Sequence, residues 1–145
     1  MIAIGADHGG YLLKEEIKKH LAEEGFELLD FGTDSTASCD YPVFAEKVCR
    51  AIQSGECEKG ILICGTGIGM SMCANKCKGI RAAVCGDHFS AEFTRRHNDA
   101  NVLCMGARTI GPGVAIQLAD IFLKTEFEGG RHEKRIAMMM ELEEK

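Results

Sequence analysis

The chain contains little proline, no tryptophan and no long hydrophobic run: two prolines and no tryptophan occur among its 145 residues. A transmembrane helix needs roughly 18 or more consecutive apolar residues, and no segment approaches that length. The first ten residues also lack the basic start and the apolar stretch of a secretory signal. We therefore expect a cytoplasmic protein.

Positive charge is also scarce, since the formal net charge is -5. Binding to nucleic acid or to an anionic membrane surface needs a basic face, so we expect neither partner. Any anionic ligand must then be held by a local cluster of donors. The content of 46% hydrophobic and 27% charged residues is typical of a globular protein, and the length predicts a single domain over residues 1–145.

Cysteine is abundant, but the eight cysteines lack the spacing of a zinc site. No CxxC pair occurs, and several cysteines lie in apolar runs, where cysteine behaves as a small hydrophobe. In a reducing cytosol we expect free thiols. Cys73 and Cys77 are four residues apart and can share a helix face, yet two thiols alone make a poor metal site. We therefore predict neither a metal nor a cofactor.

Short apolar runs alternate with amphipathic segments along the chain. The runs, each of strand length, are 2–6, 27–32, 60–65, 81–86 and 101–107. The helical patterns are 10–25, 41–54, 68–76, 88–98 and 111–124, and a sixth lies in "RHEKRIAMMMELEEK". Near-continuous apolar runs predict strands covered on both faces. The alternation predicts a five-stranded parallel sheet in a three-layer α/β/α sandwich of Rossmann-like or flavodoxin-like type.

The first and last helices carry further expectations. In the first, Leu12, Leu13, Ile17 and Leu21 have helical spacing and predict the buried face, while the lysines and glutamates opposite predict a solvated face. Gly25 is placed to end this helix. The last helix has no strand to return to, so packing on its own chain and packing on a partner subunit are both open.

The residues that follow each apolar run are the candidates for function, because ligands of open α/β sheets bind beyond the carboxyl ends of the strands. The third run ends in a GxGxG loop at Gly65, Gly67 and Gly69, whose N–H groups can form an anion hole. The loop departs from the dinucleotide fingerprint GxGxxG, and no GK[ST] of a Walker loop follows. It can hold a phosphate or the negative charge that develops during a reaction, and both alternatives are open.

Cys64 stands directly before this loop, at the predicted strand end. A thiol there faces the positive end of a helix dipole, which favours the thiolate, so we interpret Cys64 as functional rather than as core.

Five other residues each have a functional and a plain interpretation. His8 follows Asp7 and either binds an anion or caps a helix, and His97 closes the fourth helix, where its charge also suits the helix dipole. Arg131 and Arg135 share a helix face and form either a phosphate clamp or an exposed helix start. Tyr41, before Pro42, either lines the site or marks a helix start.

The ordered motifs "ADHGG", "DYP", "CGTGIGMS", "ANK", "GIRAA", "HNDAN", "GAR" and "GGRHEKR" cover nearly the whole chain. Together they resemble the family of B-type ribose-5-phosphate isomerases, which also includes allose-6-phosphate isomerases and subunits of galactose-6-phosphate isomerase. The resemblance implies a metal-free aldose–ketose isomerase of the non-oxidative pentose phosphate pathway. Such an enzyme interconverts ribose 5-phosphate and ribulose 5-phosphate through a cis-enediol.

The resemblance also implies roles for single residues. Cys64 resembles the base that moves a proton between C2 and C1, with Thr66 assisting, and His97 resembles the acid that opens the furanose ring. The implied substrate contacts are Asp7 at the sugar hydroxyls, the loop N–H groups of Gly65, Gly67, Ile68 and Gly69, the phosphate ligands His8, Arg131 and Arg135, and Tyr41, Asn98 and Arg108.

One branch of the family replaces the cysteine with serine and takes a glutamate later in the loop as its base. Met70 stands at that later position, so the sequence falls in the cysteine branch. The family is dimeric, sometimes a dimer of dimers, with sites built from both subunits, which implies a homodimer here. Two alternatives stay open: a six-carbon sugar phosphate as substrate, and a non-catalytic thiol redox sensor with a second thiol near Cys64.

Overall fold

The computed structural model describes all 145 residues and shows five strands and six α-helices. The strands are β1 (Ile2–Ala6), β2 (Leu28–Asp30), β3 (Lys59–Cys64), β4 (Ala82–Val84) and β5 (Val102–Gly106). The helices are α1 (Tyr11–Glu23), α2 (Tyr41–Gln53), α3 (Ile68–Ala74), α4 (His88–Asn98), α5 (Pro112–Lys124) and α6 (Arg131–Glu141), followed by a 3-10 turn, Leu142–Glu144. The predicted three-layer α/β class is confirmed, and none of the helices is long and apolar enough to cross a membrane.

One helix ends earlier than predicted. α3 stops at Ala74 rather than at position 76. The side chain of Asn75 accepts a hydrogen bond from the backbone N–H of Ala82 at 2.8 Å and donates one to the Ala82 carbonyl at 2.9 Å. Asn75 therefore joins the end of α3 to the start of β4.

All neighbouring strands are parallel, in the order β2-β1-β3-β5-β4. This order differs from the flavodoxin-like order 2-1-3-4-5, because β5 lies between β3 and β4. The direction of winding reverses between β1 and β3, which is the topological switch point where ligands of such sheets bind. The residues that leave β1 and β3 at this point are Asp7 and Cys64.

The sheet separates two apolar layers, because successive strand residues point to opposite faces. Ile4 and Ile61 face α1, α4 and α5, whereas Ala3 and Leu62 face α2 and α3. The three central strands are covered on both faces, as expected. The short edge strands β2 and β4 are only half-buried, so the expectation of full coverage is wrong for these two.

The buried face of α1 differs from the prediction at two positions. Leu12 is 68% exposed, whereas Lys14 is only 1% exposed. The Lys14 ammonium lies 2.6 Å from a carboxylate oxygen of Asp30, at the end of β2, which allows a lysine to be buried here. Gly25, at a φ of 89°, follows the end of α1 as predicted.

Candidate active site

The ends of β1 and β3 bring Asp7 and Cys64 to one place. Asp7 is buried, and its Oδ1 accepts hydrogen bonds from the N–H groups of Gly9, at 2.9 Å, and Gly10, at 3.1 Å. Its Oδ2 makes no hydrogen bond within the chain. A Cβ on Gly10 would collide with the carbonyl of Ile63, so glycine lets α1 begin directly against β3. Asp7 is thus held by one oxygen with the other free to accept.

The glycine loop is pressed between β3 and the end of β5. Gly67 has a φ of 82°, and a Cβ there would lie 2.9 Å from the carbonyl carbon of Met105. A Cβ on Gly106 would lie 2.7 Å from the carbonyl carbon of Thr66. Both glycines are therefore required by the close approach of two backbones, in addition to the turn itself.

Some N–H groups of the loop are hydrogen-bonded within the chain, and others are free to bind a ligand. Gly67 donates to Cys64 Sγ at 3.1 Å, and Ile68 donates to Thr66 Oγ1 at 3.2 Å. The N–H groups of Gly65 and Gly69 have no acceptor within the chain. The predicted anion hole is thus confined to part of the loop, because two of its four expected donors are already bonded.

Cys64 is 6% exposed and belongs to the apolar layer below α2 and α3, although it ends its strand. The Gly67 N–H is directed at its sulfur. Met70 is fully buried and presents no group that can accept a proton. All eight cysteines are unpaired.

Three more of the sequence-predicted residues surround the loop. The Tyr41 ring lies against Gly69, where a Cβ would be 2.7 Å from Cε1 of the ring. The side chain of Arg108 runs along Gly65, and its backbone N–H donates to the Gly65 carbonyl at 3.0 Å. His8 Nδ1 accepts the Cys39 N–H at 3.3 Å, so in the neutral ring the proton is on Nε2, which is left as a donor. These residues and the loop form what we call the thiol half-site.

The other predicted residues lie elsewhere in the chain. α4 leaves β4 at the carboxyl edge of the sheet and ends before β5 begins, which puts His97 and Asn98 towards the amino edge. A helix of this length spans about 16 Å. The carbonyl of Asn98 accepts from Arg81 Nε at 3.1 Å, near the start of β4. His97 therefore does not share an edge of the sheet with Cys64 within one chain, because α4 runs back across the sheet.

His97 meets α6 instead. The turn at Gly129 and Gly130, with φ of 71° and 58°, folds α6 back onto α4. The rings of His97 and His132 stack with centroids 4.1 Å apart. Arg131 and Arg135 lie exposed on the same helix. Together His97, Asn98, Arg131 and Arg135 form what we call the imidazole half-site.

Two residues of this region were missed from the sequence. His132 is 6% exposed, and Glu128 lies with its Oε1 3.7 Å from Nε2 of both histidines. A histidine inside the basic segment "RHEKR" gives no sign of burial, and the contact with α4 joins residues far apart in sequence. The i, i+4 spacing of Glu128 and His132 was the only available signal.

The two half-sites differ in what they can do. The thiol half-site offers a base, a carboxylate and free N–H donors, but only one guanidinium. The imidazole half-site offers an imidazole and two guanidiniums, but no loop of free N–H donors. Two guanidiniums for an anion and N–H donors for a negative oxygen are thus supplied by different segments of the chain.

The sequence model of the Ribose/Galactose Isomerase family matches residues 2–139. The chain is 47% identical over 144 residues to ribose-5-phosphate isomerase B of Escherichia coli, covering 99% of this chain and 97% of that protein. Its structure resembles that of Clostridium thermocellum ribose-5-phosphate isomerase B, with a TM-score of 0.97 and 52% identity over 99% and 97% of the two chains. It also resembles ribose-5-phosphate isomerase B of Mycoplasma genitalium with bound ribulose-5-phosphate, with a TM-score of 0.94 and 41% identity over 99% and 96%.

Proposed function

The chain belongs to the ribose/galactose isomerase family, and on this premise we propose that it interconverts D-ribose 5-phosphate and D-ribulose 5-phosphate. The observation that carries the proposal is the Cys64 sulfur, held by the Gly67 N–H beside two loop N–H groups that have no acceptor. Aldose–ketose isomerisation needs a base at carbon and fixed donors at oxygen, and this arrangement supplies both. The proton moves within one substrate molecule, so the proposed chemistry needs no cofactor.

The proton transfer runs through a cis-enediol. The Cys64 thiolate removes the proton from C2 of the open-chain aldose, and the electron pair of that C–H bond forms the C1=C2 double bond. The C1 oxygen then becomes negative, and the N–H groups of Gly65 and Gly69 stabilise it. The proton of the C2 hydroxyl passes to the C1 oxygen, and return of the proton from sulfur to C1, as the C2=O bond forms, completes the ketose. Because Thr66 Oγ1 accepts from Ile68, its own O–H can donate to a sugar oxygen.

We propose that the complete site forms between two copies of the chain. Ring opening by His97 and neutralisation of the phosphate by Arg131 and Arg135 must occur beside Cys64, yet a single chain holds these groups apart. A symmetric homodimer places the imidazole half-site of each chain against the thiol half-site of the other. The apolar side chains exposed near the two half-sites support this pairing: Ile68 and Met72 on α3, and Met138 and Leu142 at the end of the chain. A dimer of dimers would use the same contact.

We propose the remaining substrate contacts as follows. Asp7 Oδ2 accepts from sugar hydroxyls, and the Tyr41 ring covers the loop at Gly69. His8 donates from Nε2 to the phosphate, and Arg108 and Asn98 complete the contacts. The phosphate supplies binding energy remote from the reacting carbons. The unpaired thiols support a reducing compartment, so we place the reaction in the cytoplasm.

The test compares kcat/KM of the purified protein for ribose 5-phosphate, allose 6-phosphate and galactose 6-phosphate. We expect ribose 5-phosphate to be preferred, and preference for a hexose phosphate would contradict the assigned substrate.

Cys64→Ser tests the assigned base. We expect a loss of isomerisation of about 100-fold or more, since a hydroxyl is a far weaker acid than a thiol and general base catalysis is worth about that factor. Binding of the sugar phosphate should persist. Cys73→Ser, which changes a half-buried thiol on the following helix α3, is the matched control. Full activity of Cys64→Ser would remove Cys64 from the reaction.

A further inference from the structure

Three side chains meet where α6 folds back on α4, and we call them the His–Glu–His cluster: His97, Glu128 and His132. Nε2 of each histidine lies 3.7 Å from the same carboxylate oxygen, Oε1 of Glu128. The two rings stack at 4.1 Å with 13° between their planes, and Phe93 packs its edge on His97. Neither Glu128 nor His132 has a role in the function proposed above.

The cluster suits a proton better than a metal cation. Its three ligand atoms lie within 4.8 Å of one another, but the lone pairs of two nearly parallel rings run side by side and do not converge on one point. Positive groups also surround it. Arg96 on α4 lies 3.9 Å from Glu128 and 3.4 Å from Glu92, and Arg131 and Arg135 stand on α6 together with Glu133.

A single carboxylate faces two imidazoles, so near neutral pH it can offset one imidazolium but not two. His132 is 6% exposed. Burial, and then the positive charge of His97 and of Arg131, lowers the pKa of His132, while Glu128 acts in the opposite direction. His132 is therefore the ring that stays neutral. His97, which is one-third exposed, is the ring that is open to solvent beside Glu128.

We propose that Glu128 and His132 are positioning residues for His97: Glu128 offsets the charge of the His97 imidazolium, and the stacked neutral His132 fixes the plane of its ring. This inference rests on the proposed role of His97 as the acid of ring opening. In that step the C1–O bond of the furanose breaks with its electron pair going to the ring oxygen, which takes a proton from His97. The proton of the C1 hydroxyl passes to water as the C1=O bond forms, and solvent then reprotonates His97.

The experiment isolates ring opening from isomerisation. In a Cys64→Ala background, the α and β anomers of ribose 5-phosphate still exchange through the open chain. The enzyme-dependent rate of that exchange, measured by NMR at the anomeric carbon, reports on the acid alone. Adding Glu128→Gln should lower this rate by about tenfold at pH 7.5, within the factor of about 100 to 10,000 that a general acid supplies. Lowering the pH should restore part of it, because a higher proton concentration restores the protonated imidazole.

Variants of His132 separate positioning from packing. His132→Phe keeps a neutral ring in the stack and should retain the exchange rate, whereas His132→Ala should lower it several-fold. Glu133→Gln, at an exposed carboxylate of the same helix, is the matched control and should change nothing. In the background with Cys64 intact, Glu128→Gln should lower kcat for the cyclic aldose and leave KM within about twofold.

Two results would overturn the inference. Unchanged exchange rates and pH profiles in both Glu128→Gln and His132→Ala would show that neither residue acts through His97. Unchanged exchange in Cys64→Ala with His97→Ala would remove the acid on which the inference depends. Neither result depends on whether the unmodified protein isomerises ribose 5-phosphate. Failure of the proposed function would appear in the kcat/KM of the unmodified protein, which is a separate measurement.

Discussion

At the residue scale, Gly67 combines three requirements at one position. Its φ of 82° disfavours any side chain, and a Cβ there would collide with the Met105 backbone. Its N–H donates the hydrogen bond to Cys64 Sγ. Gly65, two positions earlier, has none of these constraints: a Cβ there would touch Arg108 Cδ at an ordinary 3.5 Å. The alternate glycines of the loop are therefore not equivalent.

This difference predicts the outcome of a pair of alanine substitutions. Gly67→Ala should lower the free energy of unfolding by about 1–3 kcal/mol, because the left-handed backbone and the contact with β5 both resist a Cβ. Gly65→Ala should change it by about 0.5 kcal/mol or less. Urea unfolding followed by circular dichroism measures both. Equal stability of the two variants would contradict the assigned constraint at Gly67.

At the element scale, one carboxylate, that of Asp30, ties α1 to the end of β2. Asp30 Oδ2 lies 2.6 Å from Lys14 Nζ and 2.7 Å from Lys18 Nζ, and its Oδ1 accepts the Gly32 N–H at 2.8 Å. The segment that begins at Gly32 pairs with Ala6, the residue before Asp7: the Thr33 N–H donates to the Ala6 carbonyl at 2.6 Å. The packing of α1 on β2 is thus continuous with the backbone that presents Asp7.

Asp30→Asn should therefore lower the free energy of unfolding by about 2 kcal/mol at pH 7, since it leaves the buried Lys14 ammonium without its closest acceptor. Burial acts to raise the pKa of Asp30, but the hydrogen bonds from Lys14, Lys18 and the Gly32 N–H outweigh it and lower the pKa below 3.8. The stabilisation is complete above that ordinary value and is lost as the pH falls through the lower, folded-state value.

Urea unfolding at pH 7 and at pH 3 measures this effect. The difference in the free energy of unfolding between wild type and Asp30→Asn should be smaller at pH 3 than at pH 7. Asp34→Asn, at an exposed carboxylate in the next loop, is the matched control and should change stability little at either pH. If the difference in the free energy of unfolding did not depend on pH, the loss of stability in Asp30→Asn would come from packing rather than from charge.

At the scale of the whole molecule, the structure separates the two half-sites and the proposed dimer reunites them. Complementation between inactive variants tests this directly. A heterodimer of Cys64→Ala and His97→Ala chains has one site with both changes and one site with neither. It should recover about half of the wild-type activity, as expected when one of two symmetric sites is intact.

The control is a heterodimer of Cys64→Ala and Asp7→Asn. Both changes lie in the thiol half-site, so every site then carries one of them and no activity should return. Differently tagged chains purified in tandem give each heterodimer for assay. Recovery in neither heterodimer would place the whole site within one chain and overturn the proposed arrangement.

The alternation of strands and helices could be predicted from the sequence, because parallel strands that are buried on both faces have near-continuous apolar runs of strand length. Asp7, Cys64 and the glycine loop were predicted to lie together for the same reason, since the carboxyl ends of parallel strands share an edge whatever their order. Tyr41 does not follow a strand, and its sequence left two interpretations open. The family resemblance added roles to these residues, and the comparisons confirmed the family.

Features that depend on contacts between distant segments could not be predicted from the sequence. Nothing local to β5 shows that it pairs between β3 and β4, because strand order depends on which edges remain free as the sheet forms. Burial of Lys14 depends on Asp30, 16 residues away, and burial of His132 depends on the fold of α6 onto α4. Local sequence thus shows which chemical groups the protein carries at its strand ends, whereas the packing of distant segments sets which of those groups meet within one chain.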